Sequence, residues 1–138
     1  MLRIAGLKIG TASNFWGMPT LLGAGPIHER LRIGTHCGFN KGCFFDLDDC
    51  VTLGDHVAVG HDVMFITRLP HLKNDGASSR TAPIVVQNGV WLGARCTILP
   101  GVTIGAGSVI AAGTVVAKDI PENTLFTGKM NVSLARWR

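Results

Sequence analysis

The chain has 138 residues, which is one domain's worth and long enough to enclose a core of its own. Hydrophobic residues make up 46% and charged ones 16%, with a mean hydropathy of +0.31, a balance that excludes a disordered chain. The net charge of +4 comes without a basic run or an aromatic ladder, which argues against nucleic acid and suits a phosphate-bearing small molecule.

At the N-terminus, Arg3 and Lys8 interrupt what would be the apolar region of a secretory signal. Every apolar stretch is broken by glycine well before the roughly 20 residues that span a bilayer, so a cytoplasmic address is expected. From Ile9 onward a large apolar residue recurs at every sixth position: Phe15, Leu21, Ile27, Ile33, Phe39 and Phe45. After a two-residue slip the count resumes at Leu53, Val59 and Phe65. It returns at Val86 and runs on through Leu92, Ile98, Ile104, Ile110 and Val116. The fifth residue of each unit is small or β-branched, as at Cys37, Cys43, Val57, Val63, Val90, Cys96, Val102, Ser108 and Thr114.

Two inward positions in every six fit neither one helix face nor one flat strand. They fit a coil of three short strands joined by tight corners, so that 18 residues make a triangular turn and successive turns stack at about 4.8 Å. The expectation is an all-β parallel β-helix over residues 1–138, with residues 126–138 as a short tail. Asn88-Gly89 and Gly54-Asp55 supply corner chemistry. A β-sandwich is the alternative, but its strands alternate with period two and hold no six-residue register.

The register breaks between Phe65 and Val86, where "TRLPHLKNDGASSRTAP" predicts a polar loop extruded around residues 66–85. Loops thrown out of rigid scaffolds carry function disproportionately, and this one contains His71. The four cysteines, at 37, 43, 50 and 96, show neither a CxxC pair nor metal-site spacing. Cys37, Cys43 and Cys96 fall on inward positions, where a thiol behaves as a small hydrophobe.

The hexads follow the pattern [LIV]-[GAED]-x-x-[STAV]-x, and "PIVVQNGVWLGARCTILPGVTIGAGSVIAAGTVVAKDIPENTLFTGK", residues 83–129, closely resembles the C-terminal half of the hexapeptide-repeat acyltransferases. The likeness extends over residues 33–71 and is looser before residue 33. It implies a left-handed β-helix, a homotrimer with sites between subunits, and acetyl-CoA as acyl donor with no metal.

Carried over residue by residue, the resemblance makes His71 the general base, although the usual Thr-x-x-His or Thr-x-His reads "TRLPH" here and sets His71 later than expected from Thr67. A free imidazole, with a pKa near 6.5, suits that role at neutral pH. Asn40 in "GFNKGC" would contact the acceptor, or stand as a polar corner residue. Trp91, Gly93, Ala94 and Ala112 would meet the pantetheine arm of the donor, Trp91 having intersubunit packing as its other reading. Lys118, Lys129 and Arg136 would meet the nucleotide phosphates, or form a solvated basic edge.

The spacing of His56 and His61 is similar to that of the γ-class carbonic anhydrases. The second ligand of that motif is replaced here by Ile66, so both histidines are expected as outward corner residues. The serine, maltose and galactoside enzymes carry a helical segment ahead of their coils that this sequence lacks. That points to the short transferases that decorate surface polysaccharides, with a sugar hydroxyl as acceptor and direct transfer in a ternary complex. N-acetylation of an amino sugar and a non-catalytic scaffold subunit remain the other readings.

Overall fold

In a computed structural model, which describes residues 6–70, 79–129 and 131–135, the chain winds into a left-handed parallel β-helix of about six turns. Three parallel sheets form the faces of the prism. The first contains Lys8–Ile9, Leu31–Ile33, Val51–Leu53, Ile84–Val86 and Thr103–Ile104, and Ile120 extends it by one bridge to Ile104. The second contains Asn14–Phe15, Gly38–Phe39, Ala58–Val59, Trp91–Leu92, Val109–Ile110 and Thr124–Phe126. The third contains Thr20–Leu22, Phe44–Asp46, Met64–Phe65, Thr97–Ile98 and Val115–Val116.

The inward column of each face is the hexad position counted in the sequence. Ile33, Phe39, Phe45, Leu53, Val59, Phe65 and all six from Val86 to Val116 are buried, and Ile9, Phe15, Leu21 and Ile27 are half-buried against them. The small fifth residues fill the corners: Cys37, Cys43, Val57, Val63, Val90, Cys96, Val102, Ser108 and Thr114 are all buried. Phe45 and Phe65 stack with centroids 4.7 Å apart, as do Phe15 and Phe39 at 4.4 Å, so aromatic rings repeat along the axis with the coils.

Two features differ from the expected count. Ile27 lies in a 3₁₀ turn, Ile27–Glu29, rather than in a strand, and Ile9 pairs with Ile33. The first coil therefore carries a whole extra hexad at one corner. A six-residue insertion leaves a six-residue count unchanged, which is why the register ran through it. The segment expected as a tail also folds back: Asn131–Ser133 pairs antiparallel with Thr124–Phe126.

The extruded segment begins and ends as an antiparallel hairpin, Arg68–Pro70 against Ser79–Thr81. Its root is fastened to the corner below. The Thr67 hydroxyl donates to the Asp46 carbonyl at 2.9 Å and accepts from the Asp49 N–H at 3.0 Å, while Thr67 is fully buried. The Arg68 guanidinium donates to the Asp48 carboxylate at 3.1 Å, and the Arg68 N–H to the Asp46 carboxylate at the same distance.

Candidate functional site

At the edge between the second and third faces the corners stack in register. Backbone N–H groups of Asp62, Arg95 and Gly113 donate to the carbonyls of Lys41, His61 and Ala94 in the neighbouring coil. The order along this edge is therefore Lys41, His61, Ala94, Ala112. Alongside it runs Asn40, Gly60, Gly93 and Ala111, whose N–H groups donate to the adjoining strands.

The small side chains in these two columns leave a groove of about 430 Å³, lined by Asn40, Gly60, His61, Trp91, Gly93, Ala94 and the segment from Val109 to Ala112. Its floor has no room for larger residues. A Cβ on Gly60 would lie 2.6 Å from the Ala94 nitrogen, and one on Gly93 would lie 2.6 Å from the Ala112 nitrogen. Trp91 forms one wall, 57% exposed on the outer side of the second face. The Asn40 side-chain amide donates to the Val59 carbonyl at 3.4 Å.

Five residues singled out in the sequence, Asn40, Trp91, Gly93, Ala94 and Ala112, thus line one groove. Lys129 follows Thr124–Phe126 on the same edge and is exposed. Lys118 sits elsewhere, between the third and first faces, with Nζ 5.6 Å from the centroid of Phe126 at the C-terminal end of the core. His71 and Arg136 lie outside the described residues.

His61 is an outward corner residue as expected, but it also lines the groove, in the register position that Ala94 and Ala112 hold in the next two coils. That shared hexad position was the available signal for it. His56 stands on a different edge, stacked on His36 at 5.0 Å, so His56 and His61 do not converge. Among the described residues no group of three or more His, Cys, Asp or Glu is placed to hold a metal ion.

Burial pushes the thiols of Cys37, Cys43 and Cys96 up, Cys43 to about 11, so at neutral pH they are protonated core groups. None lines the groove.

This architecture matches known proteins. The model of the bacterial transferase hexapeptide family, built of six repeats, matches residues 83–118. The galactoside O-acetyltransferase of Escherichia coli is 37% identical over 110 residues, covering 75% of this chain and 54% of that protein, so the chain spans about half the length of such curated relatives. A hexapeptide-repeat acetyltransferase of Vibrio cholerae, solved in complex with acetyl coenzyme A, superposes with a TM-score of 0.82 at 31% identity, covering 92% of this chain and 68% of that one. Solved without that complex, the same Vibrio protein gives 0.83 at 32% identity, covering 94% and 74%. The chain belongs to the hexapeptide-repeat acetyltransferase family.

Proposed function

We propose that this protein is an acetyl-CoA-dependent O-acetyltransferase that carries an acetyl group to a sugar hydroxyl. The observation that carries this reading is the single groove in which Trp91, Gly93, Ala94, Ala112 and Asn40 come together. A pantetheine arm is a slender, extended chain with two amides. A channel floored by Gly60, Gly93 and Ala111 admits it between Trp91 and the backbone of Ala94 and Ala112, whose polar groups can meet those amides. On this reading the nucleotide lies toward Lys129 at the C-terminal coil, and in a trimer Lys118 of a neighbouring subunit would add a second cation at the phosphates. The names of relatives such as the galactoside O-acetyltransferases favour a sugar as acceptor.

The transfer needs one proton acceptor. The acceptor hydroxyl attacks the thioester carbonyl carbon while its proton passes to the His71 imidazole. The C–S bond then breaks, and the departing thiolate of coenzyme A takes that proton back. Asn40 holds the acceptor hydroxyl in line, which lowers the barrier by fixing orientation. The hairpin root at Thr67 and Arg68 supports the segment that carries His71. No acyl-cysteine step is involved, because the buried thiols are protonated and away from the groove.

The third face supports assembly as a homotrimer. Its outward column runs Thr20, Phe44, Met64, Thr97 and Val115, with Leu22 beside it, a mostly apolar surface that a second copy would cover while closing the groove. Light scattering that returned a monomeric mass would remove the trimer. On this reading the protein would act in the cytoplasm, in surface-polysaccharide biosynthesis.

The test is transfer from acetyl-CoA to methyl glycosides, followed by mass spectrometry of the acetylated sugar. With wild type active, His71→Ala is expected to lower kcat by about 10²-fold or more while acetyl-CoA still binds. Undiminished turnover in that variant would take the base role from His71.

A further inference from the structure

The two columns that build the groove change size along its length. Toward the C-terminal coils they hold only glycine and alanine, with Gly93 and Ala111 in the floor and Ala94 and Ala112 beside them. At the N-terminal end both columns become large, the floor at Asn40 and the side at His61. Equivalent positions in successive coils are about 4.8 Å apart, so the imidazole is rooted one coil beyond Ala94 and about 10 Å beyond Ala112.

His61 is not spent on holding its corner. At the same hexad position one edge over, Asp55 and Asn88 turn back on the fold and accept the N–H groups of Thr35 and Asp55 at 2.8 Å each, whereas no described residue hydrogen-bonds the His61 ring, which lines the groove. Its backbone is nonetheless fixed. The His61 carbonyl accepts the Arg95 N–H at 2.7 Å, and the next residue, Asp62, donates its N–H to Lys41 at 3.1 Å. The floor beside the ring is equally fixed, because a Cβ on Gly60 would lie 2.6 Å from the Ala94 nitrogen.

We infer that His61 sets the length of the acyl group this protein accepts, its imidazole standing as an end wall that admits acetyl and turns away longer chains. The inference rests on the donor reading above. With the nucleotide toward Lys129, the pantetheine arm passes Ala112 and then Ala94, and its thioester arrives at His61. An acetyl methyl ends there. The added methylenes of a propionyl or butyryl group meet the ring, and since the floor cannot sink they must turn out into water, which forfeits their burial. Had the small column continued with alanine at position 61, the channel would run on for another coil.

The test is the dissociation constant of acetyl-, propionyl- and butyryl-CoA, measured by calorimetry on wild type, His61→Ala and His61→Phe. Wild type is expected to bind butyryl-CoA at least about tenfold more weakly than acetyl-CoA, with propionyl-CoA between them. His61→Ala removes the ring but keeps the backbone bonds of the corner, and should narrow that ratio to about threefold or less. His61→Phe keeps the bulk without the ring nitrogens and should preserve the ratio. Equal affinities in wild type, a ratio unmoved in His61→Ala, or a ratio lost in His61→Phe overturns the inference. In each of those cases acyl-CoA still binds, so the donor reading stands. Binding of none of the three to wild type overturns the donor reading, and this inference with it.

Discussion

The depth of the groove depends on single atoms. At Gly93 a methyl group would meet the Ala112 nitrogen at 2.6 Å and the Ile110 carbonyl oxygen at 2.8 Å, both backbone atoms tied into the next coil. Neither can move without disturbing the hydrogen bond from the Gly93 N–H to Ile110. Gly93→Ala is therefore expected to destabilise the fold by about 1–3 kcal/mol, the usual range for overpacking, and to shrink the channel. A denaturant titration reads the first effect and acetyl-CoA affinity the second. An unchanged midpoint would mean that the coil spacing gives more freely than the structure implies. Glycine at this position was legible in the sequence as part of the hexad, but its reason was not, because the close approach exists only after the coils are stacked. The approach of the Trp16 ring to Gly38 was hidden on similar grounds, since the two meet only through parallel pairing.

At the scale of the element, many hexads turn their corner with one residue in the left-handed region. On the edge between the first and second faces these are Ala12, His36, His56, Gly89, Gly107 and Asn123, all with φ between 49° and 70°. Non-glycine residues pay about 1–2 kcal/mol there, and the stacked coils hold them in place. Ala12 has no side-chain function to lose, so Ala12→Gly should raise stability by about 0.5–1 kcal/mol, seen as a higher melting temperature. A fall would show that chain entropy outweighs the relieved corner strain. Corner geometry explains how much of the fold could be read from the sequence. Large and small inward residues at fixed spacing announced the coils, since no other backbone buries both. The additional hexad around Ile27–Glu29 was invisible because its length equals the repeat. The hairpin of Arg68–Pro70 with Ser79–Thr81 appeared only as a break in register, since strand pairing there rests on anchors at Asp46, Asp48 and Asp49. The Arg68 guanidinium holds the Asp48 carboxyl below the usual carboxylate range. A carboxyl lowered in this way stabilises the folded chain above its unfolded pKa of about 3.9, and the contribution fades as pH falls through the lower folded value.

For the molecule as a whole, the prism is a frame of stacked coils with the candidate groove on one edge. Parallel coils supply the core without using that edge, so small residues can be kept there at no loss of burial. The third face adjoins the groove, so the proposed assembly surface and the proposed donor site would be neighbours in space. The account's central claim is that this groove receives acetyl-CoA, and calorimetric titration of the purified protein tests it most directly. Wild type is expected to bind acetyl-CoA in the micromolar range, and Trp91→Ala to bind at least about tenfold more weakly with its fold and oligomeric mass intact. An absence of heat in wild type, or equal affinity in the two proteins, would contradict it and leave the coil as a scaffold subunit.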